Sequence, residues 1–252
     1  MRKPLLLKLW LAATLLALGA CTHVPRPEHN PLARWAPSPN HEARRPILIV
    51  IHATEQNSVA ESLETLRTEN SGGPVSAHYL IGRDGDRYQL VPDDLRAWHA
   101  GGGRWGTITD VNNVSIGIEL DNDGRSEFPP AQIDSLIVLL EDLCERLYIP
   151  RTQIVAHADF APTRKQDPGM RFPWQRLAQA GFGIWPAADA PPAPEGFDAW
   201  NALRLLGYPL TDRAATVRAF HRRFRGTEND ALDAEDLRIL ASLVQQQTGA
   251  EK

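Results

Sequence analysis

The sequence predicts an α/β fold, a mixed central β-sheet flanked by helices, followed by a small three-helix domain. Three observations carry this reading. PILIVIH (46–52) and VSIGIEL (114–120) are continuous apolar runs rich in β-branched residues, as expected of strands buried on both faces. From about Pro130 to Leu147, apolar residues recur at spacings of three and four, the period of an amphipathic helix. Beyond a Pro/Ala-rich stretch at 186–196, DAWNALRLLGYPL, TDRAATVRAFHRRF and DAEDLRILASLV give three short helical patterns, two of them opened by Asp or Thr caps.

The chain opens on MRKPLLLKLWLAATLLALGAC, with Arg2, Lys3 and Lys8 ahead of an apolar stretch from Leu9 to Leu18. That is the layout of a secretory signal over residues 1–20, and it is too short for a membrane span. LGAC resembles a bacterial lipobox, which implies lipidation of Cys21 and attachment of the chain to a membrane. An ordinary signal peptide with an accidental cysteine is the alternative. Thr22, rather than Asp, follows the cysteine. In the enterobacterial sorting system this implies the outer membrane, with the protein facing the periplasm. Residues 21–45 are rich in Pro, His and Asn without an apolar period and read as a tether, its His23, His29 and His41 solvated.

After the first strand, SVAESLETLRT reads as a helix capped by Ser58, and AHYLIGRDGDRYQLV as a hairpin turning at Gly82 to Asp86. A short strand at Gln153 to Ala156 completes the sheet. Cys144 falls on the apolar side of the long helix and reads as a core residue. The stretch 186–196 reads as a semi-rigid linker, so residues 46–185 form one predicted domain and 197–252 a second.

The bulk numbers exclude several function classes. With 27 basic and 31 acidic residues and a formal charge of −4, no broad basic face is expected and nucleic acid is not a predicted partner. Two cysteines permit no disulfide framework and no all-thiolate metal site, so a metal would rely on His and carboxylate ligands. Nothing in the composition calls for an oligomer, and a monomer is expected.

His52 and His157 each close an apolar strand, which could aim two imidazoles at one point. Taken alone, either could equally be a hydrogen-bonded core histidine. Asp167 lies in a loop fixed by Pro168 and Gly169. Two imidazoles and one carboxylate match a catalytic zinc site whose fourth position is left to water. Glu119 sits on a buried strand between Ile118 and Leu120 and must face a polar cavity, a cation or a salt-bridge partner. The GGG after His99 lacks the strand-to-helix context of a phosphate loop.

Five stretches in this order, IVIHATE, SAHYLIGRDG, WHAGGGRWG, VSIGIELDN and VAHADFAPTRKQDPG, resemble the zinc-dependent N-acetylmuramoyl-L-alanine amidases. That superfamily also includes phage T7-type lysozymes and peptidoglycan recognition proteins. The resemblance spans about residues 46–180; the lipobox and C-terminal helices make the chain look most like an outer-membrane lipoprotein member. It implies that His52, His157 and Asp167 bind Zn2+, that Glu119 is the general base, and that Lys165 stabilises the oxyanion. It also implies hydrolysis of the bond between the lactyl group of N-acetylmuramic acid and L-alanine, in peptidoglycan turnover or recycling. Trp98 and His99 are expected to line the muropeptide groove, and His78 to make a structural hydrogen bond. The C-terminal helices are similar to a peptidoglycan-binding module. Ala77 stands where phage-type relatives carry a tyrosine, which shifts more of the chemistry to Glu119 and Lys165. Two rival readings are a zinc-free wall-binding receptor, which would lack a ligand, and a tethering lipoprotein with an inert amidase-like domain.

Overall fold

The computed structural model describes residues 29–43 and 45–249. The leader at 1–20 and Cys21 lie outside them. In chain order the first elements are β1 (Arg34–Trp35), β2 (His41–Ala43), β3 (Leu48–Ala53), α1 (Val59–Arg67), β4 (Glu69–Asn70) and β5 (Gly73–Pro74). Next come β6 (Tyr79–Ile81), β7 (Arg87–Gln89), β8 (Leu95–Ala97), α2 (Val111–Val114), β9 (Ser115–Leu120) and α3 (Pro130–Leu147). The remainder are β10 (Ile154–Ala156), α4 (His157–Phe160), α5 (Trp174–Gln179), α6 (Ala199–Leu206), α7 (Arg213–Phe224) and α8 (Ala234–Thr248).

The central sheet has six strands in the order β1-β7-β6-β9-β3-β10. It is mixed: β3 pairs in parallel with β9 and β10, while the expected hairpin joins β6 and β7 antiparallel. Every residue of β3 is buried, as expected of a strand paired on both sides in the middle of the sheet. On one face α3 buries Ile133, Leu136, Leu140 and Leu143, the residues its period predicts. Burial pushes the thiol of Cys144 up to about 11, consistent with an unreactive core residue. Among the described residues no helix is long and apolar enough to cross a membrane.

One expectation needs correction. The stretch read as a tether is built into the fold from residue 29 onward. The backbone amide of buried Asn30 donates to Gln89 Oε1, and its side chain donates to Asp142 and to the Tyr79 hydroxyl. β1 then extends the sheet edge beside β7, and β2 pairs with β8. Strands of two and three residues are held by backbone bonds, which need no apolar alternation, so the sequence carries no sign of them.

The C-terminal helices are present as read, with N-caps Asp198, Asp212 and Asp233. Their apolar faces are packed onto the sheet region: Leu203, Phe220 and Leu240 belong to the same contiguous apolar cluster as Ile49 of β3 and Leu139 of α3. The stretch 186–196 has no regular structure, yet Ala187 N–H is tied to Ser242 Oγ on α8. A helical stripe reports that a face is covered; it does not say which neighbour covers it.

Candidate metal and acid-base site

The site forms where β3, β9 and β10 end together. Parallel pairing sets His52 of β3 in register with Glu119 of β9, so two residues remote in sequence stand side by side. β10 lies on the other side of β3, and the chain leaves it directly into α4, whose first residue is His157. A backbone bond from Ala158 N–H to the Asp167 carbonyl draws the following loop back against this turn. The result is a triangle of side-chain atoms. His52 Nδ1 lies 2.9 Å from His157 Nδ1, and each lies 3.1 Å from Asp167 Oδ2.

Partners behind the two imidazoles set their protonation. Nε2 of His157 faces the Ala100 carbonyl at 2.9 Å, which can only accept, so Nε2 carries the hydrogen. The Ser115 hydroxyl donates to the Val111 carbonyl at 2.6 Å and therefore accepts from His99 Nε2 at 3.2 Å. His99 Nδ1 is then the acceptor for His52 Nε2 at 2.9 Å. Burial, reinforced by His157, pushes His52 down to about 4 and keeps its ring neutral. Its Nδ1 therefore presents a lone pair to the triangle. A single proton placed between any two corners leaves the third acceptor buried and unpaired. One metal ion satisfies all three. His52, His157 and Asp167 can hold such an ion, and all three are buried.

Burial would raise the Asp167 carboxyl, but charge and hydrogen bonds from His157 and His52, supplied when their Nδ1 atoms carry hydrogens rather than a metal, outweigh it and hold the group well below the carboxylate range. Glu119 behaves oppositely. Burial, then repulsion from Asp167, pushes it up to about 8, against a smaller downward pull from Lys165. Its Oε2 is buried without a hydrogen-bond partner. Glu119 and Lys165 border one groove of about 520 Å³ that also meets Trp98, Asn70 and Arg164. Arg164 donates to the carbonyls of Ala100 and Gly102 and so braces the glycine loop.

The structure brings His52, Glu119, His157, Lys165 and Asp167 to this one place. Trp98 and His99 border the groove as well, and His99 has a further contact behind the site. Its ring is 6% exposed and stands behind His52, bonded to it and to Ser115. Gly117 makes this possible, since a Cβ there would lie 2.4 Å from the His99 ring. That glycine inside a strand was the available signal for a close approach. Ser115 and Ala100, which fix the tautomers, give none, one being a common strand residue and the other acting through its backbone. His78 is fully buried and takes Gly117 N–H at Nδ1, while Nε2 meets the Leu95 carbonyl.

Residues 42–170 match the family model described as N-acetylmuramoyl-L-alanine amidase. The chain belongs to this amidase family. It is 39% identical over 233 residues to the N-acetylmuramoyl-L-alanine amidase AmiD of Escherichia coli K12, covering 79% of this chain and 82% of that protein. The 1,6-anhydro-N-acetylmuramyl-L-alanine amidase AmpD of Enterobacter cloacae is 34% identical over 164 residues, covering 58% of the chain and 88% of AmpD. Among solved amidase structures, E. coli AmiD in complex with anhydro-N-acetylmuramic acid-L-Ala-D-γ-Glu-L-Lys superposes with a TM-score of 0.71 at 37% identity. That match covers 83% of this chain and 92% of AmiD. AmpDh3 of Pseudomonas aeruginosa, in complex with anhydromuramic pentapeptide, gives 0.71 at 31%, covering 81% and 93%.

Glu119 leads to a pH prediction for the metal-free protein. Its carboxyl is raised from 4.5 to about 8, so its contribution to stability is complete below about pH 4.5 and is lost as pH rises towards 8. In chelator, urea denaturation should show Glu119→Gln gaining stability over the unmutated chain progressively between these limits. Parallel curves at all pH values would contradict the raised carboxyl.

Proposed function

We propose that this protein is a zinc-dependent N-acetylmuramoyl-L-alanine amidase. It hydrolyses the amide between the lactyl group of N-acetylmuramic acid and L-alanine, in peptidoglycan turnover or recycling. The observation that carries the reading is the triangle of three acceptors, His52 Nδ1, His157 Nδ1 and Asp167 Oδ2, with Glu119 beside it. Zinc bound by N and O ligands at about 2.0–2.2 Å in a tetrahedron needs donors about 3.3–3.5 Å apart. The separations of 2.9 to 3.1 Å reach that with a small outward movement.

Zinc held there supplies a Lewis acid that polarises the scissile carbonyl and acidifies water beside it. Glu119 takes the proton from the attacking water and delivers it to the nitrogen of the leaving L-alanine. A carboxyl poised near neutrality suits both transfers, and a cation alongside shifts it further towards the base form. The Lys165 ammonium, on the same groove, offsets negative charge developing on the carbonyl oxygen. Ligands in the two amidase complexes are anhydromuramyl peptides. A groove of about 520 Å³ bordered by Trp98, Asn70 and Arg164 is the place for the equivalent substrate here.

We also propose that the chain is a lipoprotein of the outer membrane facing the periplasm, anchored at Cys21. The support is the LGAC motif behind a short basic and apolar leader.

Glu119→Gln should retain wild-type zinc content by elemental analysis. Mass spectrometry should show release of the stem peptide from anhydromuropeptides falling by about 10²- to 10⁴-fold. Undiminished turnover by this variant would remove Glu119 from the mechanism. Cys21→Ala, expressed in a Gram-negative host, should move the protein from the membrane to the soluble periplasmic fraction; unchanged membrane attachment would count against the anchor.

A further inference from the structure

Asp159, two residues after His157, is fully buried, and its carboxylate is saturated from two directions. From its own segment, the Ala156 amide donates to Oδ2 at 2.8 Å. From the C-terminal helices, Tyr208 donates its hydroxyl to Oδ1 at 2.8 Å, and Arg223 of α7 donates Nη1 to Oδ2. The other arm of the Arg223 fork, Nη2, reaches the carbonyl of Ile154 at 3.0 Å. Its guanidinium lies 4.2 Å from the centre of the Trp174 ring on α5, which holds the plane in place. Two side chains of the C-terminal bundle therefore grip the Asp159 carboxylate two residues after a metal ligand, and one of them also grips the Ile154 carbonyl three residues before it.

A second contact sets the bundle's position. The Gly106 amide donates to the Gly207 carbonyl at 2.7 Å, in the loop that follows α6. Gly207 has φ of +112°, and a Cβ there would lie 2.6 Å from the Trp105 ring. Only glycine lets the two parts approach this closely, and Tyr208 is the next residue. The docking that buries Gly207 against Trp105 is thus the docking that delivers the Tyr208 hydroxyl to Asp159.

We propose that Tyr208 and Arg223 are positioning residues for the metal ligand His157, making the C-terminal bundle part of the scaffold of the metal site. α4 has only four residues and no cap from the side chain of Ala156; besides the Ala161 amide bond to the His157 carbonyl, the turn is closed by the Ala156 amide on Asp159 Oδ2, the same carboxylate that Tyr208 and Arg223 hold. His157 keeps its Nδ1 facing His52 Nδ1 and Asp167 Oδ2 only while that turn stays fixed; supporting partners of this kind set metal affinity. The inference rests on the zinc reading of the triangle.

The test uses the full chain and zinc affinity measured by chelator competition, which does not depend on turnover. Tyr208→Phe keeps the ring packed against Trp105 and Phe220 while removing the hydroxyl. It should weaken zinc binding about tenfold. Arg223→Lys keeps the charge but cannot bridge Asp159 and Ile154 together, and should weaken it as well. Leu240→Ala, in the buried face of α8, serves as the control for loss of stability alone. It should lower the melting temperature of the metal-free protein at least as far as Tyr208→Phe and leave zinc affinity unchanged. Wild-type zinc affinity in Tyr208→Phe and Arg223→Lys, or equal weakening in Leu240→Ala, would overturn the positioning role. Failure of the unmutated chain to bind zinc would overturn the metal reading beneath it.

Discussion

Three hydrogen-bond acceptors meet within 3.1 Å of one another in a buried corner of this protein, and a single proton shared among them satisfies only two. Much of the surrounding structure makes sense as the means of holding that arrangement. Convergent lone pairs repel, so each must be fixed from behind. The Ala100 carbonyl takes the Nε2 hydrogen of His157, and the Val111–Ser115–His99 chain takes that of His52. Parallel register between β3 and β9 brings in the fourth group, Glu119. Burial is costly for such a set without a cation and favourable with one.

The two acidic groups of the site are driven apart by their surroundings. Asp167 is held ionised by two imidazoles, whereas Glu119 is raised by burial and by Asp167 itself. One is suited to hold a cation and the other to carry a proton. Their separation in character comes from where each sits, Glu119 on β9 and Asp167 in the loop after α4 beside the two histidines. Lys165, between them in the electrostatics, lowers Glu119 modestly and faces the groove.

Long-range elements were legible in the sequence because burial leaves a period. β3, β9, α3 and the β6–β7 hairpin fall where the apolar runs and turn residues place them. His52 and His157 were legible as strand ends, yet each alone was indistinguishable from a core histidine, and only the ordered family motifs chose between the readings. Contacts that act through backbone atoms were not legible. Asn30 and the short strands β1 and β2 were taken for a tether, and Ala100 could not have been foreseen as an acceptor. The C-terminal helices showed their stripes, but stripes do not name a partner. Buried Asp159, Tyr208 and Arg223 tie them to the site through polar contacts that no hydrophobic pattern records.

The central claim is that His52 and His157 present Nδ1 to a metal while their Nε2 hydrogens are held by the protein. Nitrogen-15 NMR of histidine-labelled protein, before and after addition of zinc, reads this directly. The account predicts that both residues keep a protonated Nε2 and that both Nδ1 resonances move to metal-bound positions at one equivalent of zinc. Coordination through Nε2, or histidine resonances that zinc leaves unchanged, would contradict it.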